Sequence, residues 1–227
     1  MRKKFLAIVF LTVCCASFAL TAHLAKGPTQ ASDDMSITLD ETTAMPQKVV
    51  VNLLPMGTFT EAEARNLVGV LQRQWKALRI GDGWEFRVLP KQPLTRDLLN
   101  EAKIRYDASK ILEMLKKKNP SRSNAFIALT HNDISSKMSN RPHGDGPNGW
   151  GILGLASLNK CVCVVSTYRI KPKSMLWKTV THEFLHSYYG VPHCPNDDAT
   201  CIMADAKGKP KLKQENTICA SCRAKMK

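Results

Sequence analysis

Residues 182 to 194 read HEFLHSYYGVPHC, and the fold of the chain is read outward from this stretch. Helical spacing puts His182 and His186, four residues apart, on one face, where two imidazoles can meet one metal ion. Glu183 projects beside them, positioned to act as a general base toward water. Gly190 can take the positive φ that stops a helix and turns the chain back. That turn would bring His193 to the same metal from an extended segment. Three protein ligands with one position left open suit a catalytic zinc ion better than a structural one.

The next residue is Cys194, and it begins a second constellation: Cys201, then Met203 in Cys-Ile-Met, then Cys219-Ala-Ser-Cys222. Four thiolates so arranged can close a tetrahedral structural zinc site. Two disulfides are the other reading, because export favours oxidation. The terminal CxxC favours zinc, since that spacing is commoner in metal knuckles and redox pairs than in structural bridges. Cys161 and Cys163 alternate along an apolar strand and read as buried core thiols without a metal role.

Upstream, Lys48 to Leu54 is a short β-branched run closed by Pro55 and Gly57, which suits a buried strand. Glu61 to Leu78 carries apolar residues at the three-and-four spacing of a helical face, and Thr60 with Glu63 forms a capping box. Gly81-Asp82-Gly83 ends that helix, and Trp84 to Leu89 alternates as a strand. Asp107 to Lys118 repeats the helical period, and Ala125 to Thr130 reads as another buried strand. Strand, helix, strand, helix, strand in that order predicts an α/β layer with crossover connections. A Gly- and Pro-containing loop, Ser135 to Gly149, comes next. Strand-like runs at Gly151 to Ala156 and Cys161 to Thr167 follow, then a helix from Ser174 to Tyr189. Everything beyond Gly190 reads as irregular.

The first residues, MRKKFLAIVFLTVCCASFAL, join three basic side chains to an apolar run and small residues, the pattern of a secretory signal peptide. Residues 1 to 22 are therefore expected to be a signal peptide, residues 23 to 47 a linker too poor in large apolar side chains to order itself, and residues 48 to 227 one domain. The expected location is secreted or periplasmic. Membrane attachment would require an uncleaved signal or a lipid anchor at Cys14 or Cys15. The formal charge is +14, and losing Arg2, Lys3 and Lys4 with the signal leaves +11. The clearest basic run, Lys207 to Lys213, has no interleaved aromatic platforms, which argues against a specific nucleic-acid partner. Oligomeric state has no signature in the sequence.

HEFLHSYYGVPHC together with CIM and CASC resembles the archaemetzincins, a metzincin family in which an extended zinc motif runs into a four-cysteine zinc site. LLPMGTFT, RYDASKILEML, FIALTHNDIS and GLASLNKCVCVVSTYRI are similar to further segments of that family, so the resemblance spans about Val50 to Cys222. It implies a metzincin-like α/β fold of the α+β kind. Its parts would be a mixed twisted sheet with packed helices, a catalytic helix, and an irregular C-terminal subdomain held by the cysteine site. It implies His182, His186 and His193 on a catalytic zinc with Glu183 as base, and Cys194, Cys201, Cys219 and Cys222 on a second, structural zinc. Met203 would be the Met-turn methionine, and Gly151 to Ser157 the edge strand along the cleft, able to pair with a peptide or protein substrate.

The expected function is thus peptide-bond hydrolysis. A catalytically weak zinc-binding scaffold for a protein or anionic partner is the alternative. Three spacings depart from the family: Gly190 and His193 lie four and seven residues after His186, each one more than the pattern, the cysteine loop is longer by two residues, and the interval from Met203 to the CxxC is shorter by two. One extra helical residue rotates the chain beyond it by about 100°, which turns His193 away from the metal unless a π-bulge or a longer turn absorbs it.

Overall fold

In the computed structural model, which describes residues 48–137, 148–206 and 212–226, the chain runs through eight strands and four α-helices. These are β1 (Val50–Met56), α1 (Glu61–Ala77), β2 (Glu85–Val88), β3 (Tyr106–Asp107), α2 (Ala108–Lys116), β4 (Asn124–Thr130) and β5 (Ile134–Ser136). There follow β6 (Trp150–Ile152), β7 (Gly154–Ser157), β8 (Val162–Ser166), α3 (Leu176–Tyr189) and α4 (Ala220–Arg223). The expected signal segment, the linker and most of the Lys207 to Lys213 run lie outside the described residues. Among those described, no helix is long and apolar enough to cross a membrane.

Five strands form the main sheet in the order β2-β1-β4-β8-β7, all parallel except the outer pair β7 and β8. Parallel central strands are covered on both faces, so each reads as a continuous apolar run while its side chains still alternate between two cores. Val51 and Leu53, Ala125, Ile127 and Leu129, and Cys163 and Val165 face one core with α1 and α3. Leu54 and Met56, Phe126 and Ala128, and Val162 and Val164 face the other with α2. Cys161 and Cys163 both belong to the first core and are buried thiols, as the alternation predicts.

The Thr60 box forms as the sequence predicts. Its hydroxyl accepts from Glu63 N at 3.2 Å, and Glu63 Oε2 accepts from Thr60 N at 2.9 Å. From the helix so started, Trp75 crosses to α3, its ring 4.5 Å from that of Phe184 and its Nε1 donating to Thr181 Oγ1 at 2.8 Å. These contacts fix the helix that carries the histidines.

Three expectations need correction. The stretch Ser135 to Gly149 is not loop throughout: β5 enters it and joins β3 and β6 in a second, three-stranded sheet, a short pairing that no long alternating run advertises. The expected strand Gly151 to Ala156 breaks at Leu153, whose carbonyl accepts Ser166 N at 2.8 Å, so its halves serve different sheets. Among the described residues, the tail beyond Gly190 is irregular except for α4, a single turn at the CxxC.

Candidate metal centre

On α3, His182 and His186 stand one turn apart with ring nitrogens converging, Nε2 to Nε2, at 3.0 Å. Their other nitrogens determine what that closeness means. His182 Nδ1 lies 2.7 Å from the carbonyl oxygen of Ile202, and His186 Nδ1 lies 2.5 Å from that of Val191. A carbonyl only accepts, so both Nδ1 atoms carry hydrogen, and a neutral imidazole then presents a bare lone pair at Nε2. Burial keeps both rings neutral: desolvation depresses the His182 pKa to about 4 and, with the neighbouring histidines adding to it, that of His186 to about 3.

His193 comes to the same place from the loop after α3, its ring 5.3 Å from that of His182 and 4.8 Å from that of His186. One nitrogen from each of the three lies within 4.8 Å of the others. A tetrahedral zinc with nitrogen ligands sets them about 3.3 Å apart, so two of the three already fit and His193 closes the set with a modest approach. Its Nδ1 faces Asp205 Oδ2 at 3.8 Å.

The extra residue is absorbed at the end of the helix. Gly190 adopts φ 67° and its N–H bridges the carbonyls of His186 and Leu185, while Val191 N reaches back six residues to Leu185 O at 3.3 Å. The last turn is therefore wider than α-helical, and a longer turn that absorbs the insertion is present. Backbone groups from the β7–β8 turn occupy the carbonyls so exposed: Cys161 N donates to Ser187 O at 2.9 Å and Asn159 N to His186 O at 3.4 Å.

Glu183, next to His182 on α3, is buried against β7. A Cβ placed on Gly154 would fall 2.6 Å from Glu183 Cγ and 2.9 Å from its Oε1, so the carboxyl lies directly on the backbone of the outer strand. Desolvation there raises its pKa to about 8.

Cys194, Cys201, Cys219 and Cys222 also converge, their four sulfurs within 4.8 Å of one another. Cys194 Sγ and Cys219 Sγ are 3.6 Å apart. That is close to the edge of a zinc–thiolate tetrahedron, about 3.8 Å, and far from the ~2.0 Å of a disulfide. Met203 is fully buried, and its carbonyl accepts Cys194 N at 2.7 Å.

Sequence reasoning missed the orienting carbonyls of Ile202 and Val191, which are backbone atoms with no residue-type signature. It also missed the closeness of Gly154 to Glu183, for which a glycine inside a strand was the available signal.

No family model matches the chain. Over 189 residues it is 22% identical to an archaemetzincin of Haloquadratum walsbyi, a match covering 77% of this chain and 97% of that protein. The crystal structure of the archaemetzincin of Archaeoglobus fulgidus, complexed with malonate, superimposes with a TM-score of 0.56 at 22% identity, over 78% of this chain and 99% of that one. It has the archaemetzincin fold. The archaemetzincin of Methanopyrus kandleri gives 0.58 at 20% identity over 78% and 93% of the two chains. A zinc-dependent peptidase from Methanocorpusculum labreanum gives 0.59 at 18% over 78% and 100%. The archaemetzincin resemblance read from the motifs is thereby borne out in the fold.

Proposed function

We propose that this chain is a zinc-dependent metallopeptidase in which His182, His186 and His193 hold a catalytic zinc and Glu183 is the general base. Cys194, Cys201, Cys219 and Cys222 hold a second, structural zinc. One observation carries the proposal: two imidazoles, each fixed by a carbonyl at Nδ1, turn bare Nε2 lone pairs toward one another at 3.0 Å. Two lone pairs at that distance repel unless a cation lies between them. The similarity to a zinc-dependent peptidase of the same fold supports zinc as that cation.

A zinc ion at the three histidines supplies Lewis acidity, bringing the pKa of water toward neutrality and polarising the carbonyl under attack. The protein's own groups do the rest. Glu183, held between α3 and β7, accepts the proton of the attacking water at a carboxylate oxygen and delivers it to the leaving amine nitrogen. Its burial suits it to hold that proton between the two transfers. The outer strand β7, antiparallel to β8, offers the edge along which an extended peptide can pair and bring its carbonyl beside Glu183.

Metal analysis of the purified protein tests the reading alongside two variants. Wild type should hold two zinc ions per chain. Glu183→Gln should keep both and lose peptide hydrolysis by about 10²–10⁴-fold, and His193→Ala should weaken one zinc only. A single zinc that ignores His193→Ala would sink the catalytic assignment. Two zinc ions with no hydrolysis of any peptide would favour the scaffold reading. Export directed by residues 1 to 22 belongs to the same proposal, and the N-terminal sequence of the mature protein, expected near residue 20 or 23, checks it.

A further inference from the structure

The outer edge carries a second feature beyond Glu183. Ile152 and Leu155 pack toward the α2 core, so their neighbours Gly151 and Gly154 both face the α3 side of the strand. At Gly154 the group met on that side is Glu183. At Gly151 it is Arg169, whose guanidinium fills the space where a Cβ would stand. A guanidinium thus lies on the backbone of β6, across the break at Leu153 and three residues before the glycine that meets the general base.

Arg169 is held from behind. Its Nε and Nη2 donate to the two oxygens of Asp133 at 2.9 and 2.7 Å. Arg105 Nε also donates to Asp133, at 2.8 Å, and Arg105 reaches on to the carbonyls of Asn148 and Gly149. Two guanidiniums share one carboxylate, leaving one positive charge uncompensated. A strut role accounts for Arg105, which ties three segments together. It does not account for Arg169, which among the described residues bonds only to an aspartate that Arg105 already neutralises. The Arg169 side chain is 37% exposed, and its Nη1 makes no hydrogen bond to another described residue. The exposed ring of Tyr168 lies beneath it at 5.6 Å, and the exposed Trp150 precedes Gly151 on the same edge. A planar fork fixed on one edge and open on the other fits a carboxylate.

We propose that Arg169 is a specificity-determining residue that takes a carboxylate of the substrate peptide, two or three residues from the bond that is cut. The carboxylate is an acidic side chain or the free C-terminus. This rests on the peptidase reading and names the substrate class that reading leaves open.

The test uses the zinc-loaded full protein and matched fluorogenic peptides carrying Glu or Gln at each position up to three from the cut on either side, with free or amidated C-termini. Wild type should favour one acidic position by about tenfold to a hundredfold in kcat/KM, the worth of a hydrogen-bonded charge. Arg169→Met should flatten that preference and Arg169→Lys should retain part of it. Arg105→Met, which removes charge but not the contact, should weaken it no more than about threefold. Preference for Glu independent of amidation identifies a side chain; preference lost on amidation identifies the terminus. Equal rates for Glu and Gln peptides in wild type, or an unchanged preference in both Arg169 variants, overturn the proposal. Should Arg169→Met fail to fold by circular dichroism, the Lys variant decides.

A binding arm separates this from the failure of the peptidase reading. Fluorescence anisotropy on Glu183→Gln should find the same acidic peptide bound at least about tenfold more tightly than its Gln counterpart, and the added Arg169→Lys should reduce that ratio. If wild type cuts nothing but this ratio holds, the peptidase reading falls and the carboxylate site stands. No ratio in binding overturns the site.

Discussion

His193 and Cys194 are neighbours in the chain, so the histidine cluster and the cysteine cluster meet at one peptide bond, but the fold supports them by different means. Two of the histidines ride on a helix packed into the main core, each with its tautomer set by a carbonyl. The cysteines come from four points on an irregular tail, where α4 is the only helix and a single bridge, Cys201 to Thr217, the only sheet-like pairing among the described residues. The first cluster is held in place by the fold. The second draws separate stretches of the tail to one point. They are also coupled, because Ile202, whose carbonyl orients His182, lies between Cys201 and Met203.

Breaking the cysteine cluster should therefore cost most. Cys222→Ala should destabilise the protein by more than about 4 kcal/mol, the range typical of losing a structural metal. Calorimetry would follow it, and an unchanged melting temperature would contradict a supporting role for the tail. Second comes Gly154→Ala, which pushes a methyl into Glu183 Cγ and Val164 O. It should lower kcat by about 10²-fold, as an ångström of misplacement can, while two zinc ions remain bound.

Gly190→Ala should follow, at about 2 kcal/mol, because φ 67° strains any side chain and the new Cβ would meet Asn159. Equilibrium unfolding measures the cost, and zinc titration should find the histidine site weaker with the cysteine site unchanged. The smallest effect is expected from Lys178→Met. This buried lysine on α3 donates to Leu212 O at 2.6 Å and ties helix to tail. Its loss should cost about 1–2 kcal/mol, and amide exchange should quicken around Leu212 but not along α3.

The legibility of these regions follows the same division. The main sheet and α1 to α3 were readable because each long apolar run or helical period is set by burial against a core. The seven candidate ligand positions were readable because metal binding needs particular residue types at particular spacings, and the structure gathers them into two groups. The three-stranded sheet was not, since strands of two or three residues leave no period to detect. Nor was the break at Leu153, which depends on one backbone bond to Ser166. The meeting of Asp133, Arg105 and Arg169 is made by tertiary structure alone and leaves no local pattern to read.

The widened last turn of α3 shows where a protein can take up an insertion. Gly190 and Val191 close back onto His186 and Leu185 while Cys161 from a neighbouring turn caps Ser187, so an added residue changes the path of the chain but not the destination of His193. A search pattern that fixes the interval between the second and third histidines would discard this chain. A pattern defined by geometry, with two imidazoles each oriented through Nδ1 by a carbonyl outside their own turn, would retain it and any relative that varies in the same place.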